Sequence, residues 1–526
     1  MQNISTHKSS PRRLPPRETP ETVPASPESP RPRPWLGWIL SAAAVLLSVV
    51  SAECFFLPGA LVVRDLGDPA LGGPGISQRA HELHQSLSER MGPWARERIA
   101  SGDATRIPLH DVPQNEWPIF SAVFYLNSTE AFANAGHDIA YAHDAIEASR
   151  DLLMDEGHHT WVRNHWGDDY LHDNNVFFRS LLIAGLTSYC ALRESPADLA
   201  FLRDQVETLS ADLDASAHGV LEDYPQETYP IDVLAAVAYI HRADAVLGTD
   251  HSAFVARARR AFVAPYDDAL GLVRFRVDLN IDGDRQAMPS NVQPGRGIGN
   301  SWVGIYAPEL WPADAARWHE VHTDEFWQER GWATGFREYR RDGNEGEWTF
   351  EVDAGPVLDG FGTSASAFGI GAARRNGRFD QAFTLSTQMV ATSFPWSDGS
   401  LLLPQEFSHP AAPMLGEAAI LYFLTIEPAD GFETVSGGEI TFLVYACLAF
   451  YFGVFFFVLL FSVSTIRRLR QARDESLTWK AGVALLVVLV IGMVDPFLGM
   501  FSLFALLLVA RRKLRPAGDQ AAQIED

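Results

Sequence analysis

Six polar stretches, centred near Gln114, Asp168, Gln226, Gly295, Asp353 and Leu403, recur at intervals of about fifty to seventy residues and hold most of the side chains able to do chemistry. The densest, WVRNHWGDDYLHDNN from Trp161, carries Trp166, Asp168, Asp169, His172 and Asp173 just before an apolar run. Acids and imidazoles packed this closely on a loop suit a site more than a core, although Asp173 also fits a helix N-cap. The third stretch, LEDYPQETYPID from Leu221, offers Asp223, Tyr224, Glu227, Tyr229 and Asp232, the last on the first turn of a nearly all-apolar helix. Desolvation there would raise its pKa and keep it protonated as a general acid, whereas satisfaction by helix-terminal amides would lower it. The first stretch supplies Asn115, Glu116 and Trp117, and the fourth Asn291, Arg296, Asn300, Ser301 and Trp302. The fifth, WTFEVDAGPVLDGFG from Trp348, brings Glu351, Asp353 and Asp359; the sixth, FPWSDGSLLLPQEFSHP from Phe394, brings Trp396, Asp398, Glu406 and His409. Carboxylates ringed by Trp, Tyr, Asn and His suit acid/base work on an uncharged, hydroxylated substrate. Aromatic faces stack on a sugar ring or stabilise a carbocation equally well, so saccharide and alcohol substrates both stay open.

Positioning these groups falls to helices. Apolar periodicity and turn signals place about twelve between Ile76 and Thr425: 77–91, 116–133, 138–156, 173–193, 197–215, 230–247, 252–265, 301–309, 313–329, 357–376, 378–393 and 412–425. Every second one is apolar and rich in small residues, as in VLAAVAY from Val233 and GFGTSASAFGIGAA from Gly360. Such helices suit an inner ring touched on several faces; the alternate ones, such as HDIAYAHDAIEASRDLLMDEG from His137, keep charged faces and suit an outer ring. All six polar stretches precede inner helices and converge on one rim. The expected fold is therefore all-α, an (α/α)6 toroid flanked by transmembrane helices, with an open helical array as the alternative.

The ends of the chain point to a membrane. Residues 1–34, rich in Pro, Ser, Glu and Arg and without periodicity, read as a disordered cytoplasmic tail. Residues 35–58 form an apolar stretch long enough to span a bilayer. An uncleaved anchor fits better than a signal peptide, because the leader is long and Ala52–Cys54 is a poor cleavage site. A second span covers 440–463; the basic loop 464–480, with RRLRQAR from Arg467, marks the cytoplasmic side. Residues 481–510 read as a transmembrane or re-entrant hairpin turning at Asp495-Pro496, and 511–526 as a cytoplasmic tail. The domain at 59–438 then faces the periplasm or outside of a multi-pass inner-membrane protein.

Composition removes several classes. The three lysines, Lys8, Lys480 and Lys513, all fall outside 59–438, which excludes Schiff-base and Walker-type phosphate chemistry in that domain. A formal charge of −24 argues against nucleic acid as a partner. Cys54, Cys190 and Cys447 occur singly and make neither a disulfide framework nor a metal pattern, and Cys190 lies too far down its helix to serve as a nucleophile. DLNIDGD at Asp278–Asp284 resembles half a calcium loop, but Pro289 stands where the bidentate Glu belongs, so a solvated acidic turn is expected and no metal is assigned. No redox cofactor is implied.

Three segments, EDYPQETYP, the helix from Asp232 through VLAAVAYIHRADAVLGTDH, and GFGTSASAFGIGAARRNGRFDQAF from Gly360, resemble the linalool dehydratase/isomerase family over about Asn115 to Pro428. The resemblance implies an (α/α)6 barrel and cofactor-free dehydration and isomerisation of a monoterpene alcohol by an Asp, a Tyr, a His and Cys residues. It places Glu116 at the Asp position and Tyr125 at the Tyr. Asp232 stands where the family has a Cys and Ser180 where it has the His, with His172 just upstream. What carries over past these two departures is cavity architecture with acid/base capacity.

The expectation is an extracytoplasmic acid/base enzyme of hydro-lyase or isomerase type. Asp232 or Asp168 protonates a substrate hydroxyl, Glu116 or Asp169 removes a proton, and His172 and Tyr125 assist. Trp117, Trp166, Tyr224, Glu227, Asn300, Trp302, Asp353, Trp396, Glu406 and His409 line the substrate. A position beside the lipid bilayer suits an isoprenoid or lipid-derived alcohol. The rivals are a glycoside hydrolase or polysaccharide lyase of the same barrel type, and a non-catalytic receptor or scaffold.

Overall fold

A computed structural model describes residues 34–108, 111–263, 270–278, 290–341, 347–471 and 496–513, with positions 484, 487 and 488. The expected tail before residue 34, most of the basic loop 464–480, most of the 481–495 arm, the tail after residue 513 and residues 279–284 of the calcium-like turn lie outside these residues. Asp278 is described, and it accepts a hydrogen bond from Arg276 Nε at 2.8 Å.

The chain forms two compact units. The described residues of the smaller one belong to 1–47 and 460–526, where the Phe461 and Phe504 rings meet with centroids 4.5 Å apart. The larger, Ser48–Leu459, holds the barrel. Among the described residues two helices, Gly37–Leu66 and Phe442–Arg470, are long and apolar enough to cross a membrane. The second is one helix from Phe442 to Gln471, past the expected end of the span at Val463.

Twelve helices build the barrel: α1 (Gln78–Ser101), α2 (Trp117–Asn134), α3 (His143–Leu153), α4 (Val176–Leu192), α5 (Pro196–Ala215), α6 (Pro230–Leu247), α7 (Ser252–Ala258), α8 (Gly297–Leu310), α9 (Pro312–Phe326), α10 (Thr363–Arg375), α11 (Phe379–Thr392) and α12 (Leu415–Thr425). The even-numbered six close a ring, each packing on the next and α12 returning to α2. The odd-numbered helices lie outside, α5 against α4 and α6, α9 against α8, α11 against α10, and α1 against α12 and α3. This is the expected all-α (α/α)6 barrel. Sequence explains the two rings. Residues 176–189 of α4 and 297–308 of α8 are buried without interruption, as a helix enclosed on all sides requires. Small residues set the spacing: a Cβ at Gly304 of α8 would stand 2.8 Å from that of Ala372 on α10.

Helix ends follow ordinary capping chemistry. Ser77 accepts from Ala80 N and Ser195 from Asp198 N, while Pro118, Pro196, Pro230 and Pro312 occupy first turns where no amide partner is lost. Two departures from the expected bounds have clear causes. Helix α1 runs ten residues past Met91, through Gly92-Pro93, because Gly92 and Ala95 are buried and a Cβ at Gly92 would collide with Asp144. The expected start of α10 at Val357 is instead sheet, with Asp359 (φ 52°) and Gly360 (φ 83°) turning the chain before the helix begins at Thr363.

Short strands fill several of the connections between the helices. β1 (Arg276–Asp278) pairs with β2 (Ser290–Gln293), and β3 (Trp327–Glu329) with β4 (Thr334–Phe336). β5 (Trp348–Glu351), β6 (Gly355–Leu358) and β7 (Phe361–Gly362) form an antiparallel sheet with Trp348 opposite Leu358 and Phe350 opposite Pro356.

Candidate active site

Four carboxyls from three of the polar stretches meet at the end of the barrel where the inner helices begin. Glu116, immediately before α2, is buried and accepts a hydrogen bond from the Tyr224 hydroxyl. Burial pushes its carboxyl up to about 8; the Tyr224 bond works against this, and the Asp353 and Asp232 charges add to it. Asp232, on the first turn of α6, is raised to about 7 by burial and then by Asp353, with Trp302 of α8 opposing. Desolvation thus prevails over the helix N-terminus at this position. Asp223 is fully buried and held well above the usual carboxylate range by burial and by Asp232, though Tyr229 N donates to it at 2.5 Å. Asp353, in the turn between β5 and β6, is open to solvent yet walled by protein, and burial raises it while Arg296 pulls it down.

The local fold aims these groups. Tyr224 and Glu227 close a tight turn, with Glu227 N donating to Tyr224 O at 2.8 Å and Gln226 in the left-handed region at φ 73°. A non-glycine residue there stores strain, which such turns carry where a side chain must be directed. Glu227 faces Arg276 at 3.1 Å and accepts from the Tyr229 hydroxyl at 3.1 Å. Next to them Arg296 donates through Nε to Glu338 at 2.8 Å, bonds Glu351, and lies over the Phe275 ring at 4.4 Å. Glu338 is fully buried, raised to about 7 by desolvation despite Arg296, and accepts from Ile298 N at the start of α8.

Below the carboxyls the barrel interior is aromatic. Trp302 contacts Phe368 at 5.3 Å and Phe120 at 6.4 Å between ring centroids, Phe120 contacts Phe177 at 5.5 Å, and Phe124 stacks on Tyr422 at 5.4 Å. The arrangement is an aromatic floor under a ring of carboxyls whose proton affinity is raised by burial.

Of the expected residues, Glu116, Tyr224, Glu227, Asp232, Trp302 and Asp353 lie together. Asn300 sits on the same first turn of α8, buried, with Nδ2 donating to Arg296 O at 2.9 Å. Trp117 borders Glu116 and meets His409 edge to face at 6.1 Å, and Trp166 packs on the barrel core. Others point elsewhere. Asp168 and Asp169 are exposed, and His172 bridges Asp169 (3.2 Å) and Asp204 of the outer helix α5 (2.9 Å). Tyr125 faces the outer helix α1, bonded to Ser88 at 2.7 Å and parallel to the His84 ring. Ser180 donates to Phe177 O of its own helix. Trp396 meets Phe394, which borders the second long apolar helix at Tyr451, and Glu406 is exposed. The Cys190 thiol is pushed up to about 11 by burial, which disfavours a nucleophile. Among the described residues no cluster of three or more His, Cys, Asp or Glu forms a metal site. Asp223, Arg296 and Glu351 belong to the polar stretches but not to the expected catalytic and substrate-lining set, and Glu338 belongs to neither. A fully buried Asp223 gives no sequence signal beside the equally acidic Glu222, and Glu338 lies in an aperiodic run, FREYRR, outside the six stretches.

The class defined so far is an (α/α)6 barrel with a carboxyl-lined rim. No protein-family model matches the chain, and no curated protein matches it. Among solved structures, an inactive variant of the alpha-1,6-mannanase GH76A of Salegentibacter sp. HEL1_6 in complex with alpha-1,6-mannotriose is similar at 13% identity and a TM-score of 0.35, over 64% of this chain and 99% of that one.

Proposed function

We propose that the chain is a membrane-anchored enzyme that cleaves a C–O bond of an uncharged, hydroxylated substrate by acid/base catalysis, with a saccharide as the first substrate class. The observation behind this is Glu116, a buried carboxyl raised to about 8 beside Asp232, raised to about 7. At neutral pH Glu116 keeps its proton and acts as the general acid on the leaving oxygen. Asp232 is about half ionised and acts as the base that activates water, with Asp353 tuning both. The hydroxyl-rich character of a sugar fits the mouth, where Tyr224, Tyr229, Glu227, Arg296 and Asn300 offer donors and acceptors around an aromatic floor able to stack on a pyranose. On this reading the large unit lies outside the cytoplasm, held to the inner membrane by the two apolar helices.

Dehydration of an isoprenoid alcohol is the second reading, favoured by the purely aromatic lining of Phe120, Phe124, Phe177 and Phe368, which would shelter a cation. Of the four family positions, Glu116 and Asp232 face the site, while Tyr125 and Ser180 do not. The deciding experiment is turnover of a neutral oligosaccharide panel and an isoprenoid alcohol panel by the full chain, Glu116→Gln and Asp232→Asn. The saccharide reading expects glycan hydrolysis with an optimum between pH 7 and 8, and a loss of about 10²–10⁴ in either variant. Turnover of alcohols alone moves the assignment to the second reading. Equal turnover by wild type and both variants sinks the acid/base assignment.

A further inference from the structure

The β5–β6 hairpin that carries Asp353 turns two unlike faces outward and inward. Alternation along the strands puts Thr349, Glu351 and Val357 on one face, where Val357 is buried and Glu351 meets Arg296. The other face is wholly apolar and exposed: Trp348 and Phe350 at 71%, Val352 at 47%, Leu358 at 42%, and Pro356 opposite Phe350. On the same rim, two residues before His409, Phe407 is 84% exposed. Solvated hairpins do not present five adjacent apolar side chains without something to cover them.

The path of the second apolar helix identifies the cover. Its first turn is tied to the rim: Leu443 N donates to Trp332 O at 2.8 Å, and Thr441 to Gln388 Oε1 at 3.0 Å. Trp332 in turn meets Phe361 of β7 edge to face at 5.5 Å, so the sheet and the helix share one apolar seam. Beyond it the helix exposes Phe442, Tyr445, Phe450, Phe456 and Phe457. It runs past the last turn of α11, where the Tyr451 hydroxyl donates to Ala391 O at 2.9 Å, and therefore away from the base of the barrel. The first span borders the same end, with Phe55 against Phe394 at 6.0 Å and Glu53 accepting from Ser397.

We infer that the apolar face of the β5–β6 hairpin inserts into the lipid bilayer interface, so that the carboxyl rim opens onto the headgroup layer. This rests on the membrane anchoring proposed above. Trp and Phe with Pro and aliphatic neighbours are the side chains that partition to that depth, and the helix leaving on the rim side puts the bilayer there. A second copy of the chain covering the same face is the competing occupant.

The test places the photoreactive residue p-benzoylphenylalanine at Phe350, at Phe456 in the span, and at Asp250, an exposed position beyond the far end of α6. The full chain is reconstituted in phosphatidylethanolamine/phosphatidylglycerol vesicles, irradiated, and weighed by mass spectrometry. Lipid adducts at 350 and 456 and none at 250 are the expected result. Adducts at 456 without adducts at 350 overturn the insertion, as does a covalent chain dimer formed through 350. Loss of adducts at 456 overturns the anchoring reading itself.

Discussion

Replacing Glu116 with Gln should make the protein more resistant to alkaline conditions, by an amount the structure sets. The carboxyl is lifted from 4.5 to about 8, chiefly because it is buried. At about 1.4 kcal/mol for each tenfold change in proton affinity, that corresponds to roughly 5 kcal/mol. A carboxyl whose folded pKa lies above its unfolded value contributes its full share below the unfolded pKa, and that share is lost as pH rises through the folded value. The window therefore runs from about pH 4.5 to about pH 8. Gln keeps the acceptor for the Tyr224 hydroxyl, fills the same volume and cannot ionise, so it isolates the charge. For a unit of about 400 residues, unfolding entropy near 2.1 cal/mol/K per residue gives about 0.9 kcal/mol per degree, so 5 kcal/mol moves Tm by roughly 6 °C. The assay is thermal unfolding of the full chain in detergent micelles, followed by tryptophan fluorescence at pH 4, 6, 7 and 9. Tm of Glu116→Gln minus Tm of wild type should widen by about 6 °C between pH 4 and pH 9. A difference that stays constant across that range would show that Glu116 titrates normally and would remove it as a neutral-pH acid.

Three further outcomes are expected. Arg296→Ala leaves fully buried Glu338 without its partner and should cost about 3–5 kcal/mol. Because Glu338 takes up a proton near pH 7, the loss should be smaller at pH 5 than at pH 8, and urea unfolding at the two pH values checks it. Tyr125→Phe removes one hydroxyl bonded to Ser88 and should lower stability by about 1 kcal/mol while leaving turnover unchanged; a tenfold drop in turnover would restore the role implied by the family resemblance. His172→Ala breaks exposed pairs with Asp169 and Asp204 worth about 0–1 kcal/mol, so both Tm and turnover should stay at wild-type values, and a lost activity would put the second polar stretch back in the site.

The sequence showed the rings more plainly than it showed the site, for a physical reason. A helix enclosed by neighbours, such as Val176–Leu192, must be apolar on all sides, and one in the outer ring must not; this contrast survives in one dimension. Bounds failed where tertiary contacts overrode local signals, as at Gly92-Pro93, or where a left-handed Asp359 turned a small-residue run into strand. The carboxyls are a harder case, because their chemistry depends on which of several acids the fold desolvates. Asp168, Asp169 and His172 make the densest polar cluster in the sequence and end up solvated against the outer helix α5. Glu116 stands alone in its stretch and ends up buried. The amphipathic hairpin shows the same limit: WTFEV reads as a polar-flanked loop until pairing with GPVL sorts its alternate residues, sending Glu351 to Arg296 and Trp348 and Phe350 outward. One short sheet thereby sets both what borders the carboxyl rim and what the rim faces.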